Sequence, residues 1–191
     1  MSDATMVGRL TGLMKRVNLR GPGARGERTF EILPNAELIK GFEFNKETQL
    51  QGVFYAPYAA PSLDANRSIA TWVVPDFNTD TFITPPEGAT HFALLLVSTV
   101  LSDYKYSVDV LGYEPAEPAE NEVNGIAFSA AIPLGGMVGA DTTLSVDLGF
   151  SSVLPATVGV VVAVGIEFYQ EVNGTLYTFA SDNAMRIVLV G

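Results

Sequence analysis

Residues 157–191 carry the strongest strand signal in the chain, a period of two in their β-branched residues. One face holds six β-branched or aromatic residues spaced two apart, namely Val158, Val160, Val162, Val164, Ile166 and Phe168. Because successive side chains of a strand point to opposite sides, this period predicts a long β-strand. Asn173-Gly174 follows it and favours a type I′ hairpin turn. The segment is therefore predicted to form a three-stranded meander.

The same patterns predict further strands in the preceding part of the chain. Residues 90–102 are apolar on both faces, as in a central strand covered on both sides. The other predicted strands are 28–33, 49–55, 68–74, the segment around Tyr106, Val108 and Val110, 126–132 and 142–150. Many short strands with little helix predict an all-β fold, a two-sheet antiparallel β-sandwich of immunoglobulin-like or jelly-roll type.

The N-terminal segment is predicted to be an appendage of this sandwich. Apolar residues recur there at helical spacing, at Met6, Leu10, Leu13, Met14 and Val17. The spacing favours a short amphipathic helix, but Gly8 and Gly12 leave an extended arm equally open. A hinge is predicted at Gly21, Pro22, Gly23 and Gly26. The chain thus divides into an arm and hinge, residues 1–26, and a β-sandwich body, residues 27–191.

Charge is distributed unevenly between these two parts. The 191-residue chain has a formal net charge of −10, yet residues 1–28 hold six basic and two acidic residues. An acidic body makes nucleic acid an improbable partner, since phosphate binding needs a basic face. A basic arm on an acidic body instead suggests contact with a neighbouring copy of the chain.

Our leading hypothesis is a non-enzymatic structural subunit that self-assembles into a filament, tube or shell. The N-terminal arm would dock on a neighbouring subunit as a strand or a helix. The residues expected to make this contact are Arg9, Leu10, Leu13, Met14, Lys15, Arg16, Val17 and Arg20. Two alternatives stay open, which are an arm folded back on its own body and an arm bound to a membrane surface.

Residues with catalytic or metal-binding potential are few. The chain has no cysteine, and His91, its one histidine, begins an apolar strand, where a structural role is typical. Neither an enzyme nor a cofactor is therefore predicted. Four glutamates of the loop 112–124 could attract Ca²⁺, namely Glu114, Glu117, Glu120 and Glu122. Their spacing does not match an EF-hand, so a solvated loop is the favoured interpretation.

A carbohydrate- or surface-binding β-sandwich module, similar to an adhesin, is the second hypothesis. Five aromatic residues could line a platform for sugars, namely Tyr55, Tyr58, Trp72, Phe77 and Phe82. Aromatic residues of a sandwich lie more often in its core. No secretion signal and no apolar run long enough for a transmembrane helix are visible, so a cytoplasmic assembly or a virion component is favoured over a secreted protein.

One part of the chain resembles a group of known sequences. The run from Gly165 to Gly174, followed by Asn183-Ala184-Met185, is similar to the C-terminal end of uncharacterised proteins from Bacteroidota. The stretch from Gly8 to Gly26 looks loosely like their N-termini. The resemblance covers about a third of the chain. It implies a bacterial source and a β-rich body, and it carries no activity or site residues.

Overall fold

The structure, a computed structural model, describes residues 3–191, and most of its regular elements are strands. The strands are β1 (Ser62–Leu63), β2 (Ile69–Val74), β3 (His91–Ser102), β4 (Tyr104–Ser107), β5 (Gly112–Pro115), β6 (Asn124–Phe128), β7 (Ile132–Pro133), β8 (Thr142–Asp147), β9 (Val158–Val172), β10 (Thr175–Thr178) and β11 (Ala184–Val190). The helices are α1 (Met6–Arg20), α2 (Ala36–Ile39), α3 (Leu50–Val53) and α4 (Thr79–Phe82), with a 3-10 turn at Leu33–Asn35.

Two long antiparallel strands form the centre of the larger sheet. β3 pairs with β9 along its whole length, from His91 opposite Tyr169 to Ser102 opposite Val158. The sheet order is β10-β9-β3-β6, with β11 also paired to β9 and β7 to β3. The prediction of a central strand at residues 90–102 is confirmed.

A smaller sheet packs on one face of the larger one and completes a β-sandwich. Its order is β1-β2-β8. The core between the sheets includes Phe92 and Leu96 of β3 together with Trp72 of β2 and Leu144 of β8. Alternate residues of each strand point into this core, as the period of two requires. The predicted all-β sandwich with antiparallel sheets is therefore confirmed.

The other face of the larger sheet is covered by the N-terminal part of the chain. Val161 and Ala163 of β9 lie there in a second cluster with Val17, Ile32 and Ile39. β9 is thus buried on both faces, which explains why its residues are apolar in an almost continuous run. The molecule has three layers, two sheets and an outer layer that contains α1 and α2.

The C-terminal strands differ from the predicted meander. The hairpin is confirmed, since Asn173 and Gly174 have φ values of 51° and 79° and β10 pairs with β9. β11, however, also pairs with β9 and not with β10. The fifteen residues of β9 extend well beyond the four of β10, so both shorter strands fit end to end along one side of it. The meander prediction was wrong in this respect.

Two predicted strands near the N-terminus were also wrong. In residues 28–33, Phe30 makes a single bridge to Tyr104, and the chain then enters the 3-10 turn. Residues 49–55 instead contain α3, where Leu50 and Phe54 are fully buried four residues apart. Residues four apart lie on the same side of a helical turn and also of a strand, so their burial fits either structure.

The predicted strand around residues 106–110 ends early. β4 stops at Ser107, and Val108 and Val110 lie exposed in the turn that leads to β5. Within residues 3–191, no helix has both the length and the apolar character needed to cross a membrane.

Candidate assembly surface

The predicted arm residues form a helix that packs on their own chain. Leu13 and Val17 of α1 are buried, one turn apart on the face that meets the outer cluster. Met14 is partly buried beside them. The amphipathic segment thus forms a helix whose apolar face packs on the body. In this single chain the N-terminal segment is folded back on its own body.

Arg9 ties the first half of α1 to the segment that precedes α3. Its guanidinium donates to the backbone oxygens of Glu43 at 2.6 Å and Phe44 at 3.0 Å. It also forms an ion pair with Asp3 and lies 5.0 Å from the centroid of the Phe42 ring. Arg9 is therefore occupied within the chain and is a poor candidate for contact with a partner.

Asp3 supports the same junction. Its carboxylate accepts hydrogen bonds from the Thr5 hydroxyl at 2.6 Å and from the Lys46 N–H at 2.9 Å. These bonds, with Arg9 contributing less, hold the pKa of Asp3 well below its ordinary value. The negative charge that neutralises Arg9 is therefore maintained at any pH near neutrality.

The predicted hinge is folded into a compact loop. A Cβ on Gly21 would lie 1.8 Å from the backbone oxygen of Thr29, so the two ends of the loop pack at a distance that only glycine allows. Thr29 N–H donates to Pro22 O at 2.9 Å, and Asn18 Nδ2 donates to Arg28 O at 3.3 Å. The loop holds the C-terminal end of α1 against the body.

A basic groove of about 610 Å³ runs between α1 and residues 38–49. Four of the residues that line it are cationic, namely Arg9, Arg16, Lys40 and Lys46. Its one acidic residue, Glu43, is partly buried and lies 3.6 Å from Arg186. Burial raises the pKa of Glu43 despite that neighbour. The groove is therefore positive in a molecule that is negative overall.

Several cations of this region have no acidic partner. Three ion pairs occur among residues 3–191, a fourth contact joins His91 to Glu171, and none of the four includes Lys15, Arg16, Arg20 or Lys40. All four side chains are exposed. Together with the groove they define what we call the basic surface, which is Lys15, Arg16, Arg20, Lys40 and Lys46.

The acidic loop, residues 112–124, lies beside the Ser102 end of β3, where Tyr113 Oη donates to Gly26 O at 3.2 Å in the loop that follows α1. Glu117 N–H donates to Ser102 Oγ, and Glu122 N–H donates to Val100 O, both at 2.9 Å. Glu114 and Glu122 are exposed. The backbone bonds fix the position of the loop. Glu114 lies opposite Lys105 in the β4–β5 pair, but neither Glu114 nor Glu122 forms an ion pair in the part of the chain described.

The five aromatic residues considered for carbohydrate binding do not share one exposed surface. Trp72 and Phe77 are at most 3% exposed and pack edge-on against Phe54. Tyr55 is exposed, but it contacts only Phe82 among aromatic rings. The five residues therefore do not form the exposed row that stacking on a sugar would require.

His91 and the carboxylates show no cluster suited to a metal ion. His91 Nδ1 lies 2.9 Å from Thr90 Oγ1, and its Nε2 lies 3.8 Å from Glu171. Among the residues that the structure describes, no group of three or more His, Asp or Glu could hold a metal.

The sequence patterns identified the basic residues of α1 but missed those of the groove's second wall. Lys40 and Lys46 are isolated cations in an irregular segment, and only its fold against α1 brings them beside Arg16. No local signal marks them. In comparisons with known proteins, no family model, no curated protein and no solved structure matches the chain.

Proposed function

We propose that the protein is a non-enzymatic structural subunit that associates with copies of itself into a filament, tube or shell. In this account α1 stays on its own chain, and its basic surface contacts the acidic loop of a neighbouring copy. The observation that carries the proposal is the presence of two exposed, oppositely charged surfaces, most of whose charged side chains form no ion pair within the described chain.

The positions of the two surfaces favour a head-to-tail contact. The groove segment is bonded to β11 at Ile187, which pairs with Ala163 of β9. The acidic loop is bonded near Ser102, which pairs with Val158. These points lie roughly 17 Å apart along β9 at the rise of a strand. Since each copy offers both surfaces at different places, the contact repeats and produces open polymers or rings.

The energy of such a contact would depend on ionic strength. Charges exposed to solvent are screened over about 10 Å at 0.1 M salt, so their attraction is strong only in dilute salt. Isolated surface ion pairs contribute little, about 1 kcal/mol or less each. The basic surface therefore acts as a group, and the groove supplies the shape that a protruding acidic loop can enter.

A charge-swap experiment tests the proposal. One variant carries Arg16→Glu with Lys40→Glu, and the other carries Glu114→Lys with Glu122→Lys. Each variant alone is expected to remain monomeric in dilute salt, because like charges now face each other across the contact. An equimolar mixture is expected to assemble, because each variant supplies the surface that complements the other. Light scattering and negative-stain microscopy measure the outcome.

A matched control separates this contact from a general effect of charge. Glu87→Lys with Asp182→Lys changes the net charge by the same amount as the loop variant, at exposed Glu87 and half-buried Asp182, which both lie outside the two surfaces. It is expected to assemble like the unmodified chain. The proposal is wrong if both single-surface variants assemble normally or if their mixture behaves like either variant alone.

A further inference from the structure

The tip of the β9–β10 hairpin projects beyond both layers that cover the larger sheet. Every residue from Gln170 to Thr178 is exposed. The exposed side chains include Val172 at 45%, Leu176 at 40% and Tyr177 at 58%. Since neighbouring residues of a strand point to opposite faces, apolar groups are exposed on both sides of this hairpin.

β10 is also a free edge of the larger sheet. It is the last strand in the order β10-β9-β3-β6, and no described strand pairs with its outer side. Proteins usually protect such edges with charged residues, proline or a bulge. The sequence of β10, Thr-Leu-Tyr-Thr, contains none of these.

Two other sheet edges differ from β10, one in its closeness to a neighbouring strand and one in its length. At the opposite edge, β6 approaches β8 so closely that a Cβ on Gly125 would lie 2.6 Å from Val146 Cγ1. β1, at the edge of the smaller sheet, has two residues. β10, by contrast, has four residues and an outer side that no described strand covers, so another strand can pair with it.

The pattern of hydrogen bonds defines which groups of β10 are available. Phe179 N–H donates to Phe168 O at 2.9 Å, which fixes the odd-numbered residues as those bonded to β9. In an antiparallel pair the intervening residues direct their N–H and C=O groups to the other side. Leu176 and Thr178 thus present their backbone groups outward.

We infer that β10 pairs with β10 of a second copy about a two-fold axis at Tyr177. Leu176 of each copy would exchange backbone hydrogen bonds with Thr178 of the other, about four bonds in all. Tyr177 would then face its counterpart across the axis. No charged residue of β10 opposes another, so the segment is complementary to itself, as an isologous contact requires.

The size of this contact predicts a weak dimer. Four residues per copy bury less than the roughly 1,200 Å² of specific, stable interfaces. The net charge of −10 on each copy adds long-range repulsion. Pairing should therefore strengthen as salt screens that repulsion, which is opposite to the dependence expected for the basic surface. The inference concerns a separate surface and does not rest on the proposed function.

Cysteine crosslinking tests the pairing, because the chain has no cysteine of its own. In a pair centred on Tyr177, the two copies of Tyr177→Cys lie about 4.5 Å apart at Cα, within the range of a disulfide. Two copies of Leu176→Cys lie about 8 Å apart at Cα, because they are offset by two residues along the strands, and this exceeds the roughly 7 Å that a disulfide can bridge. Val110→Cys is a second control, since Val110 is 57% exposed in a different hairpin.

We expect Tyr177→Cys to form disulfide-linked dimer about tenfold faster than either control in a mild redox buffer, because pairing raises the effective concentration of the thiols. Adding Leu176→Lys, which places a charge on the edge, should remove the advantage. Equal rates for all three cysteines would mean random collision and would overturn the inference. Faster linkage through Leu176→Cys would overturn the register, and an advantage that survives Leu176→Lys would overturn pairing through the strand edge.

Discussion

Ser98 and Ser102 of β3 are equally buried but differ in their hydrogen bonds. Both are fully inaccessible to solvent. Ser102 Oγ donates to Asp103 O and accepts from Glu117 N–H, each at 2.9 Å. Ser98 Oγ has no partner among the residues described. A buried hydroxyl without a partner loses its hydrogen bonds to water and forms no hydrogen bond in the protein to replace them.

Replacing each serine by alanine should therefore have opposite consequences. Ser98→Ala is expected to leave the free energy of unfolding unchanged or to raise it by about 1 kcal/mol, since it removes an unsatisfied polar group. Ser102→Ala should lower it by about 1–2 kcal/mol, because Glu117 N–H loses its acceptor. Urea unfolding of the two variants measures both values. Equal losses in the two would contradict this account of Ser98.

The ionisation of Asp103 should make the stability of the fold depend on pH. Its Oδ1 accepts a hydrogen bond from Ile32 N–H at 2.8 Å, which joins the outer layer to the end of β3. Burial raises the pKa of its carboxyl above the ordinary value, although that bond acts in the other direction. The folded chain thus binds this proton more tightly than the unfolded chain. The charged form destabilises the fold above the folded pKa, and protonation relieves this as the pH falls.

Asp103→Asn should consequently stabilise the protein at neutral pH, since an amide oxygen can still accept from Ile32 without carrying charge. The gain over the unmodified chain should shrink as the pH falls through the raised pKa of Asp103 towards the ordinary carboxyl value, about 4. Thermal unfolding at several pH values measures it. Asp103→Ala, which leaves Ile32 N–H without its acceptor, should be destabilising throughout. A gain from Asp103→Asn that is independent of pH would contradict the assignment.

At the scale of elements, α1 depends on a small apolar anchor. Val17 is fully buried, whereas Val7 on the same helix is 69% exposed. Val17→Ala is expected to lower the free energy of unfolding by about 2 kcal/mol, and Val7→Ala should have almost no effect. Trypsin should also cleave the Val17→Ala chain faster at Arg25, because the loop is held by the docked helix. Equal cleavage of both variants would argue against this anchor.

Patterns along the chain predicted the strands whose burial is regular. β9 and β3 follow the period of two or the apolar run of a covered strand, and the Asn173-Gly174 turn carries its own conformational signal. The same patterns failed at α3, where the spacing of Leu50 and Phe54 suits a helical turn. They also missed the pairing of β11 with β9, because partners distant in sequence leave no local trace.

The candidate surface was only partly visible in the sequence for a similar reason. Lys15, Arg16 and Arg20 stand out because basic residues are concentrated on one amphipathic segment. Lys40 and Lys46 become part of the same surface only through the bonds that hold residues 38–49 beside α1. A groove with two walls from separate segments is a property of the tertiary fold.

At the scale of the whole molecule, assembly would involve two contacts, one between the basic surface and the acidic loop and one between two β10 strands. Their strengths depend on salt in opposite ways. The basic surface and the acidic loop repeat head to tail, and salt weakens them. Pairing of β10 closes on itself at two copies and is favoured when salt screens the net charge. Species larger than a dimer can therefore form only if the charged contact is made.

Sedimentation velocity of the unmodified chain across ionic strength tests the central claim most directly. We predict species larger than a dimer of the 20.4 kDa chain at about 0.05 M salt, growing with protein concentration, and their loss at about 0.5 M. A chain that sediments only as monomer or dimer at every ionic strength would contradict assembly through the basic surface.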